Sequence, residues 1–174
     1  TLDAENLRSG YAEMIKHGLI SNTEIWKHIL SFDLDNVDYN RLSELLLESI
    51  SVKEKVVEID PTEKGLRKVL NFGHTVGHAF ESYAMEIGKP VLHGYAVAWG
   101  MISELYLSYK LLGFPKEALS TAVRMIKENY GALPIKCDIY DHLYDLMTHD
   151  KKNEGDGRIL FSLLKNIGEI EINI

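Results

Sequence analysis

The sequence predicts a mainly α fold: a multi-helix domain with a short two-stranded antiparallel hairpin near its C-terminus. Three observations carry this. Apolar residues recur at helical spacing from Leu7 to Met147. Helix caps and breakers punctuate that pattern at intervals of one helix. The tail then changes to short alternating segments rich in β-branched residues.

The elements follow in order. Residues 4–20 place Leu7, Tyr11, Met14, Ile15 and Leu19 near one face. Residues 23–31 form a short helix around Ile25, Trp26 and Ile29. Asp38 is suited to cap a helix over 39–59, with the stripe Leu42, Leu45, Leu46, Ile50, Val56 and Val57, and Pro61 stops it. A short helix is expected over 64–70 and another over 73–86. From Gly94 to Leu112 the sequence is apolar nearly all round, which assigns that helix to the interior, with Gly113 and Pro115 as its C-terminal punctuation. Helices over 116–130 and 139–148 follow. A polar loop, 150–157, leads to strands over 158–164 and 169–174.

The 174 residues suffice for one domain, and 45% hydrophobic with 26% charged residues is ordinary globular composition. A formal net charge of -7 argues against a nucleic-acid partner, which requires a basic face. No apolar run reaches the roughly 20 residues of a membrane span. The single Cys137 offers neither a disulfide nor a thiolate cage and fits the cytoplasm. The chain starts at Thr1 almost directly in a helical pattern, which reads as a piece of a longer protein.

The chemistry concentrates in Asn71-Phe72-Gly73-His74-Thr75-Val76-Gly77-His78-Ala79-Phe80-Glu81. His74 and His78, four residues apart, fall on one helix face, and His93 follows before the apolar helix. Such a group of imidazoles is raw material for a divalent metal site. Gly77 on the same face leaves room for a bound molecule. Thr75 stands where a zincin requires glutamate, so that class is excluded. Glu13 and Glu81 are the candidate carboxylate ligands, although Glu13 and Lys16 taken alone read as a solvated i,i+3 ion pair. Lys53 falls on the apolar stripe of its helix, where an inward amine beside a cleft would bind an anion. Arg67, Asn71 and His74 share a surface if one helix runs through them, and Lys151 sits in the polar loop. Gathered together, Lys16, Lys53, Arg67, Asn71 and Lys151 would make a cationic cleft for a substrate bearing carboxylate and phosphate groups.

These blocks, with Gly10-Tyr11-Ala12-Glu13-Met14-Ile15-Lys16-His17-Gly18, Lys53 through Asp60, Gly65-Leu66-Arg67, Leu92-His93-Gly94-Tyr95-Ala96-Val97-Ala98 and Asp150-Lys151-Lys152, resemble the C-terminal domain of 3-dehydroquinate synthase across essentially the whole chain. The resemblance implies a helical domain with a zinc (or cobalt) ion on Glu13, His74 and His93. It places Lys53, Arg67 and Asn71 on the substrate, with His78, Lys16 and Lys151 as catalytic residues. It implies cyclisation of 3-deoxy-D-arabino-heptulosonate 7-phosphate to 3-dehydroquinate with loss of phosphate, in the shikimate pathway. It also implies NAD held mainly by an N-terminal domain not contained in 1–174, a homodimer at full length and no activity from the fragment alone. Tyr95 departs from the family, whose members often carry glutamate there. That departure leaves open a related inosose- or valiolone-type cyclase. A helical metal-dependent hydrolase, with His74, His78 and His93 all on the metal, and a non-catalytic helical interaction module with incidental histidines are the alternatives from other classes.

Overall fold

The computed structural model describes residues 3–133, 135–149 and 158–174. The chain runs α1 (Ala4–Ser21), α2 (Thr23–Leu30), α3 (Tyr39–Ile59), a 3₁₀ segment (Leu66–Asn71), α4 (His74–Glu86) and α5 (His93–Leu112). It continues through α6 (Lys116–Tyr130), a 3₁₀ turn (Cys137–Ile139), α7 (Tyr140–Thr148), β1 (Ser162–Asn166) and β2 (Glu169–Ile172). The expected helices are present. Asp3, Asn22 and Asp38 cap the first three through side-chain oxygens that accept from backbone N–H groups. Gly113, at φ 76°, ends α5. None of the described helices is long and apolar enough to cross a membrane.

The core is built around α1 and α5. From Tyr11 to Ile20 every residue of α1 except Glu13 is buried, so this helix has no solvated face over that span. It packs against α5, α2 and α3 and supports the hairpin at its end, where the Gly168 N–H donates to the Leu19 carbonyl at 2.9 Å. β1 and β2 pair antiparallel with Leu163 opposite Glu171. Their ladder continues through reciprocal bonds between Phe161 and Ile174.

Three expectations are corrected. The segment near residue 64 is a 3₁₀ helix starting at Leu66, and it does not continue into α4: Gly73 breaks it with φ 80°. Arg67, Asn71 and His74 therefore share no helical surface. The buried face of α3 is Leu45, Ser49 and Val52, flanked by Leu42 and Val56, while Leu46 and Ile50 are exposed. A buried serine within the true stripe hides it from hydrophobic periodicity. Lys53 lies one position beyond Val52, off that face, and is exposed. α5 is interior along one side only, since Tyr106, Tyr109 and Leu111 face solvent.

Candidate metal centre

Close helix crossings bring the candidate ligands together. A Cβ on Gly94 would lie 1.9 Å from the Ser9 carbonyl oxygen, so α1 and α5 meet backbone to backbone just beside His93. A Cβ on Gly100 would lie 2.1 Å from the Gly73 oxygen and 2.6 Å from the Gly77 nitrogen. Gly77 likewise abuts the backbone of Ala96 and Val97. The space left by Gly77 is thus filled by α5 and not by a bound molecule, which corrects the expectation from its place on the histidine face.

At this junction Glu13, His74 and His93 each present a ligand atom within 4.8 Å of the others. His74 is buried, Glu13 is half-buried and His93 is exposed. The imidazoles are oriented by their second nitrogens. His74 Nδ1 lies 3.1 Å from the Phe72 carbonyl oxygen, which can only accept, so Nδ1 carries the proton and Nε2 keeps its lone pair. His93 Nδ1 donates to Glu81 Oε2 at 3.1 Å, leaving Nε2 available. Glu81, a candidate ligand from spacing, therefore holds the candidate ligand His93 in place.

The donor set suits a divalent cation. Glu13 Oε1 is buried with no hydrogen-bond partner among the described residues, and it faces His74 Nε2 at 3.4 Å. A carboxylate oxygen and an imidazole lone pair both lack a proton to share, and a cation between them satisfies both. Burial opposes ionisation of Glu13, but the Lys16 ammonium at 2.6 Å counters it and holds the carboxyl below the usual range. Burial lowers the His74 pKa, only partly opposed by Glu13, so the ring favours the neutral form that binds metal.

Lys16 overturns the solvated-pair reading. Its side chain is 4% exposed and its Nζ reaches Glu13 Oε2 at 2.6 Å. His78, half-buried, lies edge-on to His74 with ring centroids 5.4 Å apart and 5.8 Å from His93. It is outside the ligand group. Behind this cluster, the His17 ring nitrogen Nδ1 meets Ser49 Oγ of α3 at 2.6 Å. Burial and the Lys16 charge push His17 down to about 4.

The anion-binding candidates are arranged otherwise. Glu63, at φ 56°, accepts from Asn71 Nδ2 at 3.1 Å and lies 3.9 Å from Arg67 Nε. Arg67 also donates to the Pro61 carbonyl. Lys53 lines a shallow cleft of about 250 Å³ with Ile50, Glu54, Val57 and Glu58. Lys151 lies outside the described residues.

Sequence reasoning did not single out Glu104, which is wholly buried in α5. Its oxygens accept from the Gly73 N–H at 2.6 Å and the Val76 N–H at 3.1 Å. The available signal was an acidic residue mid-way along an apolar helix with no basic residue three or four positions away.

Fold and site together define a helical domain with a histidine- and carboxylate-rich centre suited to a divalent metal. The sequence matches the family described as 3-dehydroquinate synthase C-terminal over residues 10–153, and the chain belongs to that family. It is 59% identical to a 3-dehydroquinate synthase of Parabacteroides distasonis over 173 residues, covering 99% of this chain and 49% of that protein. A 3-dehydroquinate synthase of Bacillus pumilus is 39% identical over 97% of this chain and 46% of its own length. The chain thus spans about half the length of the curated relatives it matches. Its fold is shared with the 2-epi-5-epi-valiolone synthase of Streptomyces hygroscopicus, solved with NAD+ and Zn2+ bound (TM-score 0.76, 23% identity, 100% of this chain and 49% of that one). It is also shared with a 2-deoxy-scyllo-inosose synthase complexed with carbaglucose-6-phosphate, NAD+ and Co2+ (TM-score 0.73, 24% identity, 96% and 46%).

Proposed function

We propose that this chain is the metal- and substrate-binding half of a 3-dehydroquinate synthase, acting on 3-deoxy-D-arabino-heptulosonate 7-phosphate. The meeting of Glu13, His74 and His93 around a buried carboxylate oxygen that has no hydrogen-bond partner among the described residues carries the reading. NAD is bound mainly by an N-terminal domain outside this chain, and the whole enzyme is a cytoplasmic homodimer. Glu13, His74 and His93 would hold the metal, which when bound supplies a Lewis acid beside the hydride acceptor NAD.

The chain's own residues bind and orient the substrate. The Arg67 fork suits a carboxylate, with Lys53 as a second cation on α3. Asn71 and Lys151 serve the phosphate. Lys16, buried against Glu13, keeps that carboxylate ionised and sets a positive charge beside the reacting hydroxyl. His78, beside but outside the ligand group, moves a proton at that substrate hydroxyl. Much of the rate gain would come from fixing a flexible substrate.

The full-length protein, supplied with NAD and zinc, is expected to release phosphate and form 3-dehydroquinate, whereas the isolated chain gives no turnover. Turnover only with the substrates of inosose- or valiolone-forming cyclases, or turnover by the isolated chain, would overturn the proposal. His78→Ala should retain the metal, and loss of the metal would favour the hydrolase arrangement instead.

A further inference from the structure

We propose that Glu104 is a positioning residue for His74, acting through a single peptide group. This deepens the reading of Glu13, His74 and His93 as metal ligands and rests on it.

The Phe72–Gly73 peptide connects the two. Its carbonyl oxygen accepts from His74 Nδ1 at 3.1 Å, and its N–H donates to Glu104 Oε2 at 2.6 Å. A peptide group is planar, so its C=O and N–H turn together and in opposite directions. Fixing the N–H fixes the direction of the carbonyl, and the carbonyl selects the tautomer and rotation of the His74 ring. The second oxygen of Glu104 accepts from the Val76 N–H at 3.1 Å, so one carboxylate spans the first turn of α4 on both sides of His74.

Several features show that this peptide needs an external hold. Gly73 has φ 80°, and the preceding 3₁₀ segment ends there, so no helix constrains the plane. No side chain caps α4 from its own N-cap residue. Glu104 is 0% exposed, as is its neighbour one turn later, Ser108. Ser108 Oγ donates to the Glu104 carbonyl at 2.7 Å and accepts from the Leu164 N–H at 3.0 Å, which braces this turn of α5 against β1. A buried carboxylate is costly unless its acceptors are satisfied, and here backbone donors of the histidine turn satisfy both oxygens.

The test uses full-length Glu104→Gln, with Glu104→Leu as a second variant. A carboxamide keeps one acceptor and turns an N–H₂ toward the other donor. Two readouts are taken: Co2+ affinity by chelator competition, and the ring ¹⁵N spectrum of the histidines in metal-free protein. Glu104→Gln is expected to weaken Co2+ binding ten- to a hundredfold. His74 should lose its single Nδ1–H tautomer while His93, held separately by Glu81, keeps its own. General destabilisation would disturb both rings, so an equal change in both overturns the inference. Co2+ affinity within twofold of wild type with an unchanged His74 spectrum also overturns it. Should the unsubstituted protein take up no Co2+, the metal reading falls, and the His74 spectrum of the variant alone decides the role of Glu104.

Discussion

The proposed metal side and the proposed anion side of this site are built differently. On the metal side both candidate ligand imidazoles have a partner that fixes them: Phe72 for His74 and Glu81 for His93. The helices carrying them touch at glycines. On the anion side Arg67 and Asn71 are held by Glu63, a half-exposed carboxylate on a left-handed residue, and Lys53 is exposed on the outer side of α3. The first arrangement is preorganised and rigid. The second is neutralised from within and open, an arrangement that would suit the proposed exchange of an internal carboxylate for a substrate's.

The largest blow to that contrast should come from Gly100→Ala. Its Cβ would meet backbone atoms of Gly73 and Gly77, which cannot rotate away as a side chain could. The loss of stability should be at least about 3 kcal/mol despite the better helix propensity of alanine, measured by denaturant titration. A stable protein with full metal affinity would show that the glycine crossing does not set the cluster.

The next effect is one of pH and concerns the tie between the two sides. His17 on α1 reaches Ser49 on α3, one turn before Lys53. Burial holds its folded pKa at about 4, below the ordinary imidazole value of 6.5. The unfolded chain therefore binds more protons between those values, and stability rises with pH through the window and is lost as pH falls from 6.5 toward 4. The loss attributable to this ring should be about 3 kcal/mol at the acid end. His17→Gln should show a correspondingly flatter pH dependence, and an unchanged slope would rule the assignment out.

The smallest predicted effects separate the two sides directly. Glu81→Gln should weaken metal binding about tenfold or more by loosening His93, with little change in stability. Arg67→Ala should leave the metal in place and raise KM sharply in the full enzyme. Unchanged kinetics would remove Arg67 from the substrate, and lost metal would merge two regions that the structure keeps apart.

Much of the architecture was legible in the sequence, because caps, breakers and helical periodicity are local properties. Asp38, Gly113 and Pro61 mark their boundaries without reference to the rest of the chain. The α3 face was misread because Ser49 interrupts its stripe while Leu46 and Ile50 suggest another. His74, His78 and His93 could be picked out by spacing, but spacing alone could not choose between Glu13 and Glu81. That choice depends on where α1 crosses α5, some eighty residues later in the chain.

The sequence by itself determined the helices, the hairpin, the family and the short set of residues able to hold a cation. Tertiary structure alone decided that Lys16 is buried, that Gly77 receives a neighbouring helix and that Glu104 braces the turn before His74. The physical reason is that periodicity reports which face of a helix is apolar, whereas the burial and pairing of a charge depend on which distant backbone arrives opposite it.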